Sequence, residues 1–136
     1  MVDTVQVGTS AQEIAQTLLA ADTFSRDCPS RAVMDQTTNR WATLILAALI
    51  NGPHRFFELR DRVDGISQKM LSQNLKALVR AGVVHRAVES TIPPQVTYSL
   101  TDLGVSLAAP LCELIHWFGE HTPELLQAQA RYDESA

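Results

Sequence analysis

Between Ser67 and Arg80 the chain carries two superimposed helical patterns. Leu71, Leu75 and Leu78 fall at i, i+4 and i+7, an apolar stripe, while Lys69, Ser72, Gln73, Lys76 and Arg80 fall at i, i+3, i+4, i+7 and i+11 on the other face. The polar row has the chemistry to bind and read the edge of a DNA duplex. Lysine reaches phosphates or guanine edges, glutamine can pair with adenine through two hydrogen bonds, and serine can meet either base. Ser67 is placed as the N-cap, and Gln68, in the first turn, stands where a recognition helix approaches bases. Arg86, just beyond the helix, is a further phosphate contact. The bland alternative is a solvated helix face, because exposed faces are polar whatever they do.

Other groups with chemical potential are scattered. Cys28 precedes Pro29 at a helix start, with Arg26 and Arg31 near in sequence, surroundings that favour a reactive thiolate. The plain alternative is a small packed residue, since an unbridged cysteine is among the most buried types. Cys112, His116 and Glu120 share a helix face at i, i+4 and i+8, which invites a metal reading. No second ligand cluster completes a coordination sphere, so no metal site is assigned. His54 and His85 have no nucleophile or carboxylate at catalytic spacing, and no Gly-rich phosphate loop or cofactor motif is present. No enzyme and no cofactor is expected.

The elements around the polar row set its context. Ser10 to Glu13 forms a capping box opening a helix over about 11–22, with Ile14, Leu18 and Leu19 at helical spacing. Pro29 starts a short helix to about Gln36, and the apolar run Arg40 to Ile50, stopped by Asn51-Gly52-Pro53, is a central buried helix. A short amphipathic helix over Phe57 to Val63 ends at the Asp64-Gly65 turn, and the 68–81 helix follows at once. Helix, short glycine turn, helix is the helix-turn-helix arrangement. Beyond Gly82 the period changes to two, giving a strand from Val83 to Glu89, a loop stiffened by Pro93-Pro94 and a returning strand from Val96 to Leu100. That hairpin makes the unit a winged helix. Thr101 caps a final helix from Asp102 to about Glu120, expected to kink at Pro110; a short helix from Glu124 to about Ala130 and a frayed end should follow.

Composition narrows the class. The 136 residues are 46% hydrophobic and 19% charged, suited to one domain with a core and helical extensions. The formal net charge is −4, but Arg40 to Arg86 holds eight basic residues against three acidic ones, a local +5 that leaves −9 elsewhere. A middle segment facing a polyanion gives such an asymmetry. Two cysteines, 84 positions apart, make neither a disulfide framework nor a zinc motif, so a reducing, cytoplasmic setting is expected. Neither a secretory leader nor a membrane span is expected.

The sequence resembles the HxlR-type regulators, winged helix-turn-helix proteins related to the MarR group. The resemblance covers about 28 to 119. Its carriers are Cys28-Pro29, Arg40-Trp41 with the apolar run to Leu46, Gly52 to Phe56, Glu58-Leu59, Gly65-Ile-Ser-Gln-Lys-Met-Leu71, Leu75, Leu78, Gly82-Val83, Pro93-Pro94, Tyr98 to Thr101 and Leu103-Gly104. It implies a homodimer paired through N-terminal and final helices, with the recognition helix in the major groove. In some members a Cys-Pro cysteine responds to oxidants, electrophiles or disulfide stress. Two departures stand out. Phe57 replaces a usual Ser, predicting loss of a side-chain N-cap at a cost of about 0.5–2 kcal/mol. Gln95 replaces a common basic residue after the prolines, and Ser90 to Gln95 contains no Lys or Arg, predicting a weak wing grip.

The expected fold is therefore mainly α with a small β-hairpin. Residues 1–27 form an N-terminal dimerisation arm, 28–101 a winged helix-turn-helix core, and 102–136 C-terminal dimerisation helices. The expected function is a dimeric transcription regulator on a pseudo-palindromic double-stranded DNA operator, with Ser67, Gln68, Lys69, Ser72, Gln73, Lys76, Arg80 and Arg86 on DNA. Cys28 is its candidate redox sensor and Cys112 its candidate partner across the dimer. A small-molecule effector is compatible with this class. The competing reading is a winged-helix protein interaction module, which should expose apolar anchors rather than a polar row.

Overall fold

The structure, a computed structural model, describes residues 10–14, 16 and 24–135. In chain order these form α1 (Pro29–Thr37), α2 (Arg40–Leu49), β1 (His54–Arg55), α3 (Phe56–Arg62), α4 (Gln68–Arg80), β2 (Val84–Glu89), β3 (Gln95–Leu100) and α5 (Asp102–Ser135). Residues 11–14 and 16 are also helical, and the remainder of the helix expected over 11–22, with Leu18 and Leu19, lies outside the described residues. The capping box is formed. The Ser10 N–H donates to Glu13 Oε1 at 2.9 Å and the Glu13 N–H to Ser10 Oγ at 3.2 Å. The backbone and then the side-chain hydrogen bond to Ser10 hold the Glu13 carboxyl below the usual carboxylate range.

Helix boundaries follow local chemistry. Pro29 occupies the first turn of α1, where its missing N–H costs no helical bond. Asn39 caps α2 by accepting from the Ala42 N–H at 2.9 Å, and Ser67 Oγ caps α4 by accepting from Met70 at 3.0 Å. The turn between α3 and α4 needs φ +88° at Gly65, and α4 stops where Gly82 takes φ +80°. The core lies where α2 crosses the helix-turn-helix. Ile45 and Leu46 of α2 are fully buried with Leu59 of α3 and Leu71, Leu75 and Leu78 of α4. Ala108 and Leu111 close it from α5. At about 1.5–3 kcal/mol per fully buried large aliphatic side chain, this inward stripe is what fixes the orientation of α4. Trp41 lies at the edge, its ring 4.3 Å beneath the Arg40 guanidinium.

The expected hairpin is present with one strand added, and two other expectations are corrected. The hairpin is part of a three-stranded antiparallel sheet of order β1-β3-β2, with His54 opposite Tyr98 and Arg55 opposite Thr97. A two-residue strand is too short to show a sequence period. The N-cap of α3 is Arg55, in extended conformation, so Phe57 stands one position inside the helix and displaces no cap. Glu58 instead reaches back to accept from the Arg55 N–H at 2.7 Å, half of a capping box. Lastly, α5 is one helix of 34 residues running through Pro110 and Pro123 to Ser135, in place of the expected separate helix from Glu124 and the fraying expected from Tyr132; Ala136 lies outside the described residues. Each proline removes one backbone bond. Both are exposed, so the orphaned carbonyls of Ser106 and Gly119 can face water while the surrounding turns stay paired.

Candidate nucleic-acid interface

The candidate face is built by α4. Leu71, Leu75 and Leu78 point into the core, which turns Gln68, Lys69, Ser72, Gln73, Lys76 and Arg80 to solvent, and all six are exposed. Ser67 and Arg86 are exposed too. Asn74 joins the buried side, at 6% exposure, and its Nδ2 donates to the Met70 carbonyl at 2.8 Å. Sequence reasoning missed it, because asparagine in a helix reads as polar surface; its place in the Leu71 to Leu78 stripe was the available signal.

Pairing of β2 with β3 sets Arg86 opposite Tyr98. A cleft of about 150 Å3 then brings Arg86 together with Ser72 and Lys76 of α4 over Leu75, Val79 and Tyr98. Gln68, Lys69, Gln73 and Arg80 lie outside this cleft. Arg80 ends α4, where the helix dipole favours a cation. Among the described residues the only ion pair joins His116 and Glu120, at 3.7 Å. The cations of α4 and Arg86 therefore have no carboxylate partner there to compete with a phosphate.

The wing segment Ser90 to Gln95 carries no Lys or Arg. Its tip is held by the Thr91 hydroxyl donating to the Pro93 carbonyl at 2.8 Å. At the start of β3, Gln95 Oε1 accepts from Arg55 Nη2, a contact between side chains 40 positions apart. Arg55 and Tyr98, both carriers of the family resemblance, have no site role in the sequence reading. Arg55 became visible only through the short strand β1.

The remaining candidates lie elsewhere. Cys28 is half-buried at the N-cap of α1 and Cys112 half-buried on α5, and neither is in a disulfide. His116 and Glu120 share their helix face with Cys112, but among the described residues no group of three His, Cys, Asp or Glu side chains could hold a metal. No described helix is long and apolar enough to cross a membrane.

Known proteins share this arrangement. An uncharacterized helix-turn-helix transcriptional regulator of Escherichia coli K12, YtfH, is 41% identical over 117 residues, covering 86% of this chain and 93% of its own. The solved structure described as a transcriptional regulator, YtfH, from Salmonella typhimurium superposes with a TM-score of 0.74 at 41% identity, over 79% of this chain and 96% of that one. The redox regulator HypR in its reduced form superposes with a TM-score of 0.66 at 31% identity, over 73% and 98%. The HxlR-like helix-turn-helix family matches residues 36–125, which span all of α2 to β3 and the first two thirds of α5. The chain belongs to the HxlR-like helix-turn-helix family.

Proposed function

We propose that the protein is a homodimeric, sequence-specific DNA-binding transcription regulator of the cytoplasm and not an enzyme. The observation that carries this is the α4 surface: its inner face is locked in the core while its outer face presents Gln68, Lys69, Ser72, Gln73, Lys76 and Arg80 to solvent without ion pairs among the described residues. In this reading Gln68 and Gln73 read base edges, Lys69, Ser72 and Lys76 serve bases or phosphates, and Arg80 and Arg86 grip phosphate. Ser67 positions the helix start. An interaction module would need apolar anchors on this face, and it has none.

The dimer is supported by α5. At about 1.5 Å per residue the helix is about 51 Å long, yet only Gly104, Ala108 and Leu111 of it are buried. Beyond them Leu114, Trp117, Phe118 and Leu126 are 44–57% exposed, large apolar side chains that a partner surface would cover. A second copy covering this face makes 102–136 a dimerisation element, with 28–101 as the DNA-binding core and 1–27 as an accompanying arm. Two recognition helices related by a two-fold axis call for a pseudo-palindromic operator. Protection of upstream DNA tests the reading: two protected half-sites about 34–36 Å apart are expected. Uniform protection of any sequence would contradict it.

A thiol response at Cys28 is the second part of the proposal, supported by the likeness to the redox regulator HypR. Oxidation linking Cys28 to Cys112 of a second copy, or modifying Cys28 alone, would shift α1 against α5. That movement changes the spacing of the recognition helices without touching a base contact.

A further inference from the structure

A wing that enters a DNA groove meets a phosphate strand on each side, because the minor groove is only about 6 Å wide. On β3, successive side chains point to opposite faces of the sheet. Tyr98 therefore shares its face with its register partners His54 and Arg86, the face turned to α4. Thr97 lies on the opposite face with Arg55 of β1 and Ala87 of β2. Gln95, two residues back along β3 towards the tip, is on that same outer face. The Arg55 guanidinium reaches along the strand and donates to the Gln95 side-chain carbonyl. Arg86 and Arg55 thus bracket β3, one on each face.

Resting on the DNA-binding reading above, we propose that Arg55 is the wing's outer phosphate contact and that Gln95 is the positioning residue that aims it. The wing segment Ser90 to Gln95 holds no Lys or Arg, so a cation for its outer side has to come from a neighbouring strand. Arg55 is exposed and is in no ion pair among the described residues. Glu58 Oε1 accepts the Arg55 backbone N–H at 2.7 Å, and Glu89, the register partner of Gln95, stands on the same face at the end of β2 without an ion pair to Arg55 among the described residues. One guanidinium N–H is held by Gln95, which fixes the plane of the group, and the remaining donors form the fork suited to a phosphate. Gln95 is accordingly not a lost basic contact. Its carbonyl oxygen does what a lysine there could not, since a lysine would repel Arg55.

Duplex binding over about 50–200 mM salt tests this, using upstream DNA and a random duplex of equal length. Arg55→Ala should weaken both duplexes alike and reduce the slope of log K against log salt by about one per subunit. Gln95→Ala keeps the charge, so its slope should stay near that of the unmodified protein while affinity falls less than for Arg55→Ala. Gln95→Lys placed in the Arg55→Ala background should restore the slope by returning a cation to the same face. Arg55→Gln, which removes the charge but keeps the stem to Cδ and a polar end, guards against a folding defect, and melting temperature is recorded for each variant. An affinity loss in Arg55→Ala or Arg55→Gln with an unchanged salt slope would make Arg55 merely structural and overturn the proposal. An unmodified protein that binds neither duplex would overturn the underlying DNA-binding reading as well, a result distinct from normal binding that ignores position 55.

Discussion

The hydroxyl of Thr101 donates to the carbonyl of Gly82 at 2.7 Å and accepts from the Gly104 N–H at 3.0 Å, so one side chain joins the turn that ends α4 to the start of α5. The same junction is tight one turn on: a Cβ at Gly104 would stand 1.9 Å from the Val83 carbonyl oxygen, which only glycine permits. The start of α5 and the end of α4 are thereby tied by a hydrogen bond and a close backbone approach.

Thr101→Ala removes the cap of α5 and the bond to Gly82 together. Chemical denaturation should show a loss of about 1–2 kcal/mol, while Thr101→Ser stays close to the unmodified protein. Equal stability of all three would show that the junction contributes nothing.

Contacts on α4 should divide by role. Gln73→Ala is expected to cost about 1–3 kcal/mol on the true operator and little on random DNA. Arg86→Ala should weaken both alike and flatten the salt slope by about one per subunit. Fluorescence anisotropy on the two duplexes at several salt concentrations measures both quantities. Equal losses on both duplexes for Gln73→Ala would take base reading away from Gln73.

Much of this site was legible in the sequence because helical period is a long-range signal. The stripe Leu71, Leu75, Leu78 fixed which face of α4 is inside, and Ser67, Gly65 and Gly82 fixed where it begins and ends. The cap was misplaced by two residues, at 57 instead of Arg55, since it depends on the backbone angles of Arg55 and on Glu58 reaching back. The length of α5 was underestimated for a related reason. Pro110 and Pro123 read as breaks when considered locally, whereas an exposed proline forfeits one hydrogen bond within a helix kept by its neighbours. The partnership of Arg55 with Gln95 spans 40 positions and depends on a two-residue strand, which leaves no periodic trace.

Dimerisation should map to the outer two thirds of α5. Phe118→Asp places a charge on the exposed apolar face without entering the monomer core, so a folded monomer is expected in analytical ultracentrifugation, with sharply reduced operator affinity. Truncation after Glu113 retains Gly104, Ala108 and Leu111 and should also give monomer. A truncated protein that still sediments as a dimer would move the interface elsewhere.

The thiol response should depend on Cys28. Cys28→Ser is expected to bind DNA normally and to lose sensitivity to diamide. Cys112→Ser distinguishes the two routes: a lost response indicates a Cys28 to Cys112 bridge, and a retained response indicates modification of Cys28 alone. Non-reducing electrophoresis of the oxidised protein identifies the bridged dimer directly. Identical operator binding by reduced and oxidised protein would leave Cys28 as a packing residue.

The central claim, sequence-specific recognition by the α4 face, is tested most directly by the affinity of the purified protein for its own upstream DNA relative to a shuffled duplex of the same composition, titrated across about 50–200 mM salt. The account predicts that both affinities fall steeply with salt while their ratio remains large, on the order of 10³ or more. Affinities that coincide at every salt concentration would contradict it.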